Sequence, residues 1–321
     1  MNGSSGAMSD ERSNRRVPVT GCLIQQVQLN MDRGRRGSML LRRSVYLLAS
    51  LATVGVLGPS SGAAQEPEGL AARALVDSRF TWIRRDTTGF RVYFAADSYA
   101  ARLQDSLVTR LPGALGHARR LLGTPAPLGP LDVFFVDSRD DMAQLIGGPA
   151  TGFAHRAARA VFLVTNPAWR AFERHEVMHV VAWHAWGPPA ANTDWLEEGL
   201  AQAADGRCDD YSNETALRGL VRRRGWVPFD DLLGSFRQQE DLRAYLQAAV
   251  FVEYLLQAYG APALATLWRQ GSQAGTQLDG RALRAIEADW RTRIAVGALP
   301  DEGALTRIEA GGCGGTARVA G

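Results

Sequence analysis

The stretch His175-Glu176-Val177-Met178-His179 constrains this 321-residue chain more than any other. It lies in a segment that reads as a helix over about 167–186. Residues at i and i+4 share a helix face with Cβ atoms about 5–6 Å apart, so two imidazoles can grip one metal ion. Glu176 is rotated about 100° from His175 around the helix, so it need not bind the metal. It can act instead as general base on a water that the metal activates. A catalytic zinc usually takes three protein ligands, so the motif demands a third from elsewhere in the chain.

Trp195-Leu196-Glu197-Glu198-Gly199-Leu200-Ala201 supplies candidates. Gly187-Pro188-Pro189 ends the first helix, Asn192 or Thr193 can cap a second over 193–205, and that helix can return antiparallel with a carboxylate aimed at the His pair. Spacing alone allows either Glu197 or Glu198. Only one can bind, because helix neighbours point about 100° apart. His184 lies about 140° around the helix from His179 and reads as a surface residue. His117 and His155 are isolated and read as structural.

HEVMH followed by WLEEGLA resembles the gluzincin metallopeptidases, the superfamily that includes thermolysin and the aminopeptidase-N-like enzymes, and its spacing is that of the latter. In their pattern the Glu before Gly is the third ligand. The resemblance implies a zincin-like catalytic domain with one Zn²⁺ per chain on His175, His179 and Glu198. It also implies Glu176 as the base and a peptide or protein as the substrate. The competing HExxHxxGxxH pattern is contradicted by Ala182 and Ala185. Aminopeptidase-like members open a helix with Y-x-K-G-A, and the Tyr hydroxyl donates to the developing oxyanion. Here Tyr245-Leu246-Gln247-Ala248-Ala249 opens a comparable apolar helix without the Lys-Gly, which makes Tyr245 the second catalytic candidate.

Two departures limit the transfer. No Gly-Ala-Met-Glu-Asn segment precedes the motif helix, which favours endopeptidase over aminopeptidase action. The position where thermolysin-like members carry an Asp to orient one His holds Gln202, leaving Asp205 as a substitute. The alternative function is a catalytically inactive gluzincin scaffold in the cell envelope that binds peptide or protein partners.

The rest of the chain sets this motif in an α+β fold. Segments 80–84 and 90–94 alternate in period two around Asp86-Thr87-Thr88-Gly89, predicting a hairpin. Residues 97–122 are amphipathic with a break expected at Pro112. Strands are predicted over 131–137 and 160–164, with a short helix at 140–146. From Trp169 the strand signals cease, and helices follow at about 167–186, 193–205, 213–224, 240–259, 262–270 and 280–294. A small N-terminal sheet with helices therefore precedes an all-helical C-terminal half. Trp183, Trp186 and Trp195 are expected to pack the two motif helices together, and Arg222-Arg223-Arg224 to end a helix in solvent.

Composition matters chiefly at the front. Residues 1–64 hold eight Arg and only three acidic residues, more than the whole chain's net charge of +3, so the body from Gln65 onward is mildly acidic. It offers no electrostatic reason to expect nucleic acid as partner. Met39-Leu40-Leu41-Arg42-Arg43, an apolar stretch over 44–57 and Gly62-Ala63-Ala64 read as a signal peptide over about 39–64, implying periplasmic or extracellular export. The apolar stretch is about 14 residues against the roughly 20 that span a bilayer, so no stable membrane span is expected after cleavage. The predicted organisation is a leader at 1–64, a linker and short helix at 65–79, the metallopeptidase domain at 80–298 and a Gly-rich tail at 299–321. Cleavage leaves Cys208 and Cys313, which either form a disulfide or remain two partly buried thiols. No oligomeric state follows from these patterns.

Overall fold

Side chains that alternate in period two can be buried on both faces only if the sheet is covered on both sides, and that is how this sheet is built. The computed structural model describes residues 69–124, 128–239 and 242–314; the leader, signal and cleavage readings lie outside the described residues. Helix α1 (Gly69–Val76) is followed by β1 (Trp82–Thr87) and β2 (Phe90–Ala95), the expected antiparallel hairpin, in which Thr87 pairs with Phe90. Next come α2 (Tyr99–Arg102), α3 (Gln104–Leu122), β3 (Leu131–Val136), α4 (Arg139–Ile146), β4 (Gly152–His155) and β5 (Ala160–Val164). The strand order is β1-β2-β3-β5-β4, with β2, β3 and β5 parallel and both edge strands antiparallel.

Val92, Phe94, Val133, Phe135, Val161 and Leu163 join the core that includes α3. Tyr93, Phe134 and Phe162 stack on the opposite face at 4.8 and 4.7 Å between centroids, under Leu70 of α1 and Met142 of α4. The expected break at Pro112 is absent, because α3 runs through it and the interruption falls earlier, at Leu103. An interior Pro costs about 3 kcal/mol, whereas the buried Leu107, Leu111, Leu115 and Leu122 each return about 1.5–3 kcal/mol. Strand β4 was not legible in the sequence, since four residues at a sheet edge leave too short a pattern.

Helix α5 (Glu173–Trp186) starts later than its periodicity suggests. The Asn166 side chain accepts from the backbone N–H groups of Ala168 at 2.8 Å and Trp169 at 3.0 Å, a turn that competes with helix. Then follow α6 (Asp194–Asp205), the two-residue strands β6 (Arg207–Cys208) and β7 (Tyr211–Ser212), α7 (Asn213–Arg224), α8 (Phe229–Gly234) and α9 (Leu242–Gln270). Gly260, at φ 78° and ψ 167°, divides α9 near the predicted boundary. A second short hairpin, β8 (Gln277–Leu278) and β9 (Arg281–Ala282), precedes α10 (Leu283–Ile294) and α11 (Glu302–Gly311). Among the described residues the C-terminal half is thus helical apart from two small hairpins, and the segment read as a Gly-rich tail contains a helix. Arg223 bonds Glu302 and Glu309 of α11 instead of simply ending α7 in solvent.

Cys208 and Cys313 form a disulfide across 105 residues of sequence. Beside it the Asp209 N–H donates to the Cys313 carbonyl and the Arg170 N–H to the Gly314 carbonyl, each at 3.3 Å.

Behind α6 a polar chain joins three helices. Asn213 donates to the Gln202 carbonyl and to Glu253 Oε1, both at 3.0 Å. Burial pushes the Glu253 carboxyl up from 4.5 to about 7, against the Asn213 hydrogen bond that lowers it. A carboxyl with a raised folded-state pKa keeps its proton where the unfolded chain has lost it, so this group's contribution to stability falls as pH rises from about 4.5 to about 7. Glu253→Gln should therefore stabilise the fold by about 1–2 kcal/mol at pH 8 and leave it unchanged near pH 4, read from denaturant titrations at both values.

Candidate metal centre

Helix α5 is buried on every side from His175 to Trp183, which is why its sequence lacks a clean polar face. Gly187 ends it, and α6 returns beside it. Thr193 takes the N-cap position without a side-chain cap bond, since its hydroxyl donates to the Ala190 carbonyl at 2.6 Å. Gly199 sets how closely α9 crosses α6. A Cβ there would lie 2.8 Å from the Ala248 carbonyl oxygen and 2.9 Å from Val252 Cγ2. The glycine after Glu198 thus lets the first turn of α9, carrying Tyr245, approach the site.

His175, His179 and Glu198 form a buried cluster whose ligand atoms lie within 4.8 Å of one another. The two imidazole Nε2 atoms are 3.3 Å apart, and Glu198 Oε2 is 3.4 Å from that of His175 and 3.7 Å from that of His179. Zinc bonds of about 2.0–2.1 Å in a tetrahedron require edges of about 3.3–3.4 Å, so the three donors fit zinc with little movement. Glu197 points elsewhere. Its Oε1 accepts from Trp183 Nε1 at 2.8 Å and lies 3.6 Å from His179 Nδ1, the ring nitrogen opposite the cluster. Spacing left the two acids equivalent, and their positions on α6 separate them into an inner and an outer carboxylate.

Glu176 is 1% exposed and lies against β4. A Cβ on Gly152 would come within 2.9 Å of the Glu176 Cδ, so the edge strand carries no side chain at the point where this carboxylate rests. Burial pushes the Glu176 carboxyl up, partly offset by the two His. Among the described residues Glu176 Oε2 accepts no hydrogen bond despite full burial, and the Glu198 oxygens are met by charge contacts alone, Oε1 by Arg237 Nη1 at 3.1 Å and Oε2 by the two imidazoles.

The local charge makes the fit to a cation more than geometric. With neutral imidazoles, the buried carboxylates Glu176, Glu197 and Glu198 face one guanidinium, that of Arg237, and one divalent ion closes the deficit. Without it, His179 is held protonated up to about 9, since the charge of Glu198 and contact with Glu197 outweigh a burial that alone would lower it. Burial alone would likewise raise Glu198, but Arg237 and His179 bring it down to about 2. Tyr245 is 9% exposed, with its ring 4.9 Å from that of Phe236. Burial and the charge of Glu198 push its hydroxyl well above the ordinary range, so it stays a neutral donor.

The structure overturns the expectations for Asp205, Trp186 and Trp195 and agrees with those for His184 and His155. Asp205 does not orient a His, because it accepts from Arg170 at 3.1 Å. Trp183 bridges α5 and α6 through Glu197, but Trp186 packs on Trp268 and Trp195 on Phe251, so both serve α9. His184 is exposed, and His155 Nδ1 accepts from the Ala158 N–H at 3.0 Å in a turn. Arg237 had no sequence signal, lying 43 residues from its partner Asp194.

No family profile matches the sequence, and no curated protein matches it. Among solved structures the chain is similar to the crystal structure of an aminopeptidase N family protein from Idiomarina loihiensis, with 14% identity and a TM-score of 0.37. The match covers 72% of this chain and 48% of that one, so the chain spans about half the length of that protein.

Proposed function

We propose that the chain is an exported zinc-dependent metallopeptidase acting on internal peptide bonds. The observation that carries this reading is the convergence of His175, His179 and Glu198 at zinc-ligand spacing, with the buried Glu176 carboxylate beside them. Zinc held by these three residues would polarise a carbonyl and lower the pKa of a water towards about 7. Glu176, raised by burial, takes a proton from the attacking water and returns it to the leaving amine. The neutral Tyr245 hydroxyl donates to the oxyanion that develops on the substrate carbonyl. Glu197 Oε1 lies 3.6 Å from His179 Nδ1, and its charge on that side of the ring favours a proton on Nδ1 and leaves Nε2 facing the cluster. The edge strand beside the base reads Gly152-Phe153-Ala154-His155 and carries no carboxylate to hold a substrate's free amine, which supports endopeptidase action.

Two alanine variants test the ligand assignment. Glu198→Ala should lose the metal, whereas Glu197→Ala should keep one zinc per chain with affinity weakened about 10–100-fold. Zinc content by elemental analysis and affinity by chelator competition read both. If Glu197→Ala is the variant that empties the site, the assignment of inner and outer carboxylate is reversed. A peptide-library digest by the wild-type protein then separates a peptidase from a scaffold that only binds metal.

A further inference from the structure

We infer that Arg237 is a positioning residue that holds Glu198 to single-oxygen ligation and so keeps a coordination position open at the centre proposed above, a reading on which this inference rests. The two oxygens of Glu198 are divided between partners. Oε2 faces the imidazole Nε2 atoms at 3.4 and 3.7 Å, while Oε1 lies 3.1 Å from Arg237 Nη1. Arg237 is itself fixed, because its Nε donates to Asp194 Oδ1 at 3.0 Å. Asp194 and Glu198 are four apart on α6 and so lie on one face, which presents two carboxylates to one guanidinium.

The turn that carries Arg237, Phe236–Gln238, is anchored by the buried Phe236 against Tyr245. A carboxylate can bind a metal through one oxygen or two. With both oxygens on the ion, Glu198 would fill the position a catalytic zinc keeps for water or substrate. A guanidinium on Oε1 opposes that and draws electron density from the ligand. Arg237 therefore trades metal affinity for an open position.

A residue that merely supported the fold would weaken metal binding when lost, whereas this role predicts the opposite. In the full-length protein, Arg237→Met should bind zinc about tenfold more tightly by chelator competition, because a positive charge leaves the ion's surroundings and Oε1 is released. With Co²⁺ in place of zinc, the wild type should show the intense visible bands of a four-coordinate ion. Arg237→Met should lose intensity severalfold as the coordination number rises, and its peptide hydrolysis should fall. Arg237→Lys, which keeps one charged donor, should retain the wild-type spectrum.

An unchanged Co²⁺ spectrum in Arg237→Met, or zinc affinity equal to or below wild type, overturns the inference and leaves the metallopeptidase reading standing. Weak Co²⁺ bands in the wild type overturn it even if no variant folds. A wild type that takes up no metal overturns both.

Discussion

Glu176→Gln is expected to reduce peptide hydrolysis by about 10³-fold or more while the protein still binds one zinc per chain. The substitution keeps the side chain's size and its place against Gly152, where little else fits. It removes the ability to accept a proton, and a thousandfold loss corresponds to about 4 kcal/mol of transition-state stabilisation. The carboxylate is buried and its Oε2 accepts no hydrogen bond, so removing its charge should leave thermal stability unchanged or higher. Loss of activity through unfolding can thus be told from loss of the base. Zinc content, melting temperature and hydrolysis of a peptide library give three readouts. Undiminished hydrolysis would refute the assigned base, and loss of zinc would make Glu176 a ligand.

The second large effect concerns the covalent clasp. Replacing Cys208 and Cys313 together by Ser should lower stability by about 3–4 kcal/mol, since a bond closing a loop of 105 residues strongly restricts the unfolded chain. For a domain of this size that corresponds to a fall in Tm of about 10 °C. The bond ties the C-terminal segment to the end of α6, and the adjoining backbone bond from Arg170 to Gly314 ties it to the entry of α5. Both motif helices are therefore braced at one end by the same clasp. Thermal and denaturant unfolding of the double variant measure the effect. A loss below about 1 kcal/mol would mean that the non-covalent packing of Leu305 and Ile308 already holds this segment. Such a bond persists in an oxidising compartment, which supports the proposed export.

Much of this protein is legible in its sequence. The α5 and α6 segments, β3 and β5, and α7 over its full length follow from periodicity and glycine punctuation, because each is long enough or apolar enough to leave a pattern. The readings that failed did so for three different physical reasons: a local side-chain turn, packing by remote side chains, and an element too short to leave a pattern. Asn166 turned the chain before α5, Leu packing carried α3 through Pro112, and β4 was too short to register. At the site, the His pair was visible because both residues lie within one helical turn. Arg237 and Gly152 were not, because their partners are remote in sequence.

Sequence by itself determined the donor types and the helix face that offers them, since i to i+4 geometry is local and needs no partner. Spacing left Glu197 and Glu198 equivalent and only the resemblance pointed to Glu198; it is the tertiary structure that sets Glu198 beside the imidazole Nε2 atoms and Glu197 outside them, seats Glu176 against an edge strand and brings Arg237 to one carboxylate oxygen. Those outcomes depend on where α6, α9 and β4 come to rest around α5. That is settled by burial and charge summed over the whole core, and no short window of residues encodes it.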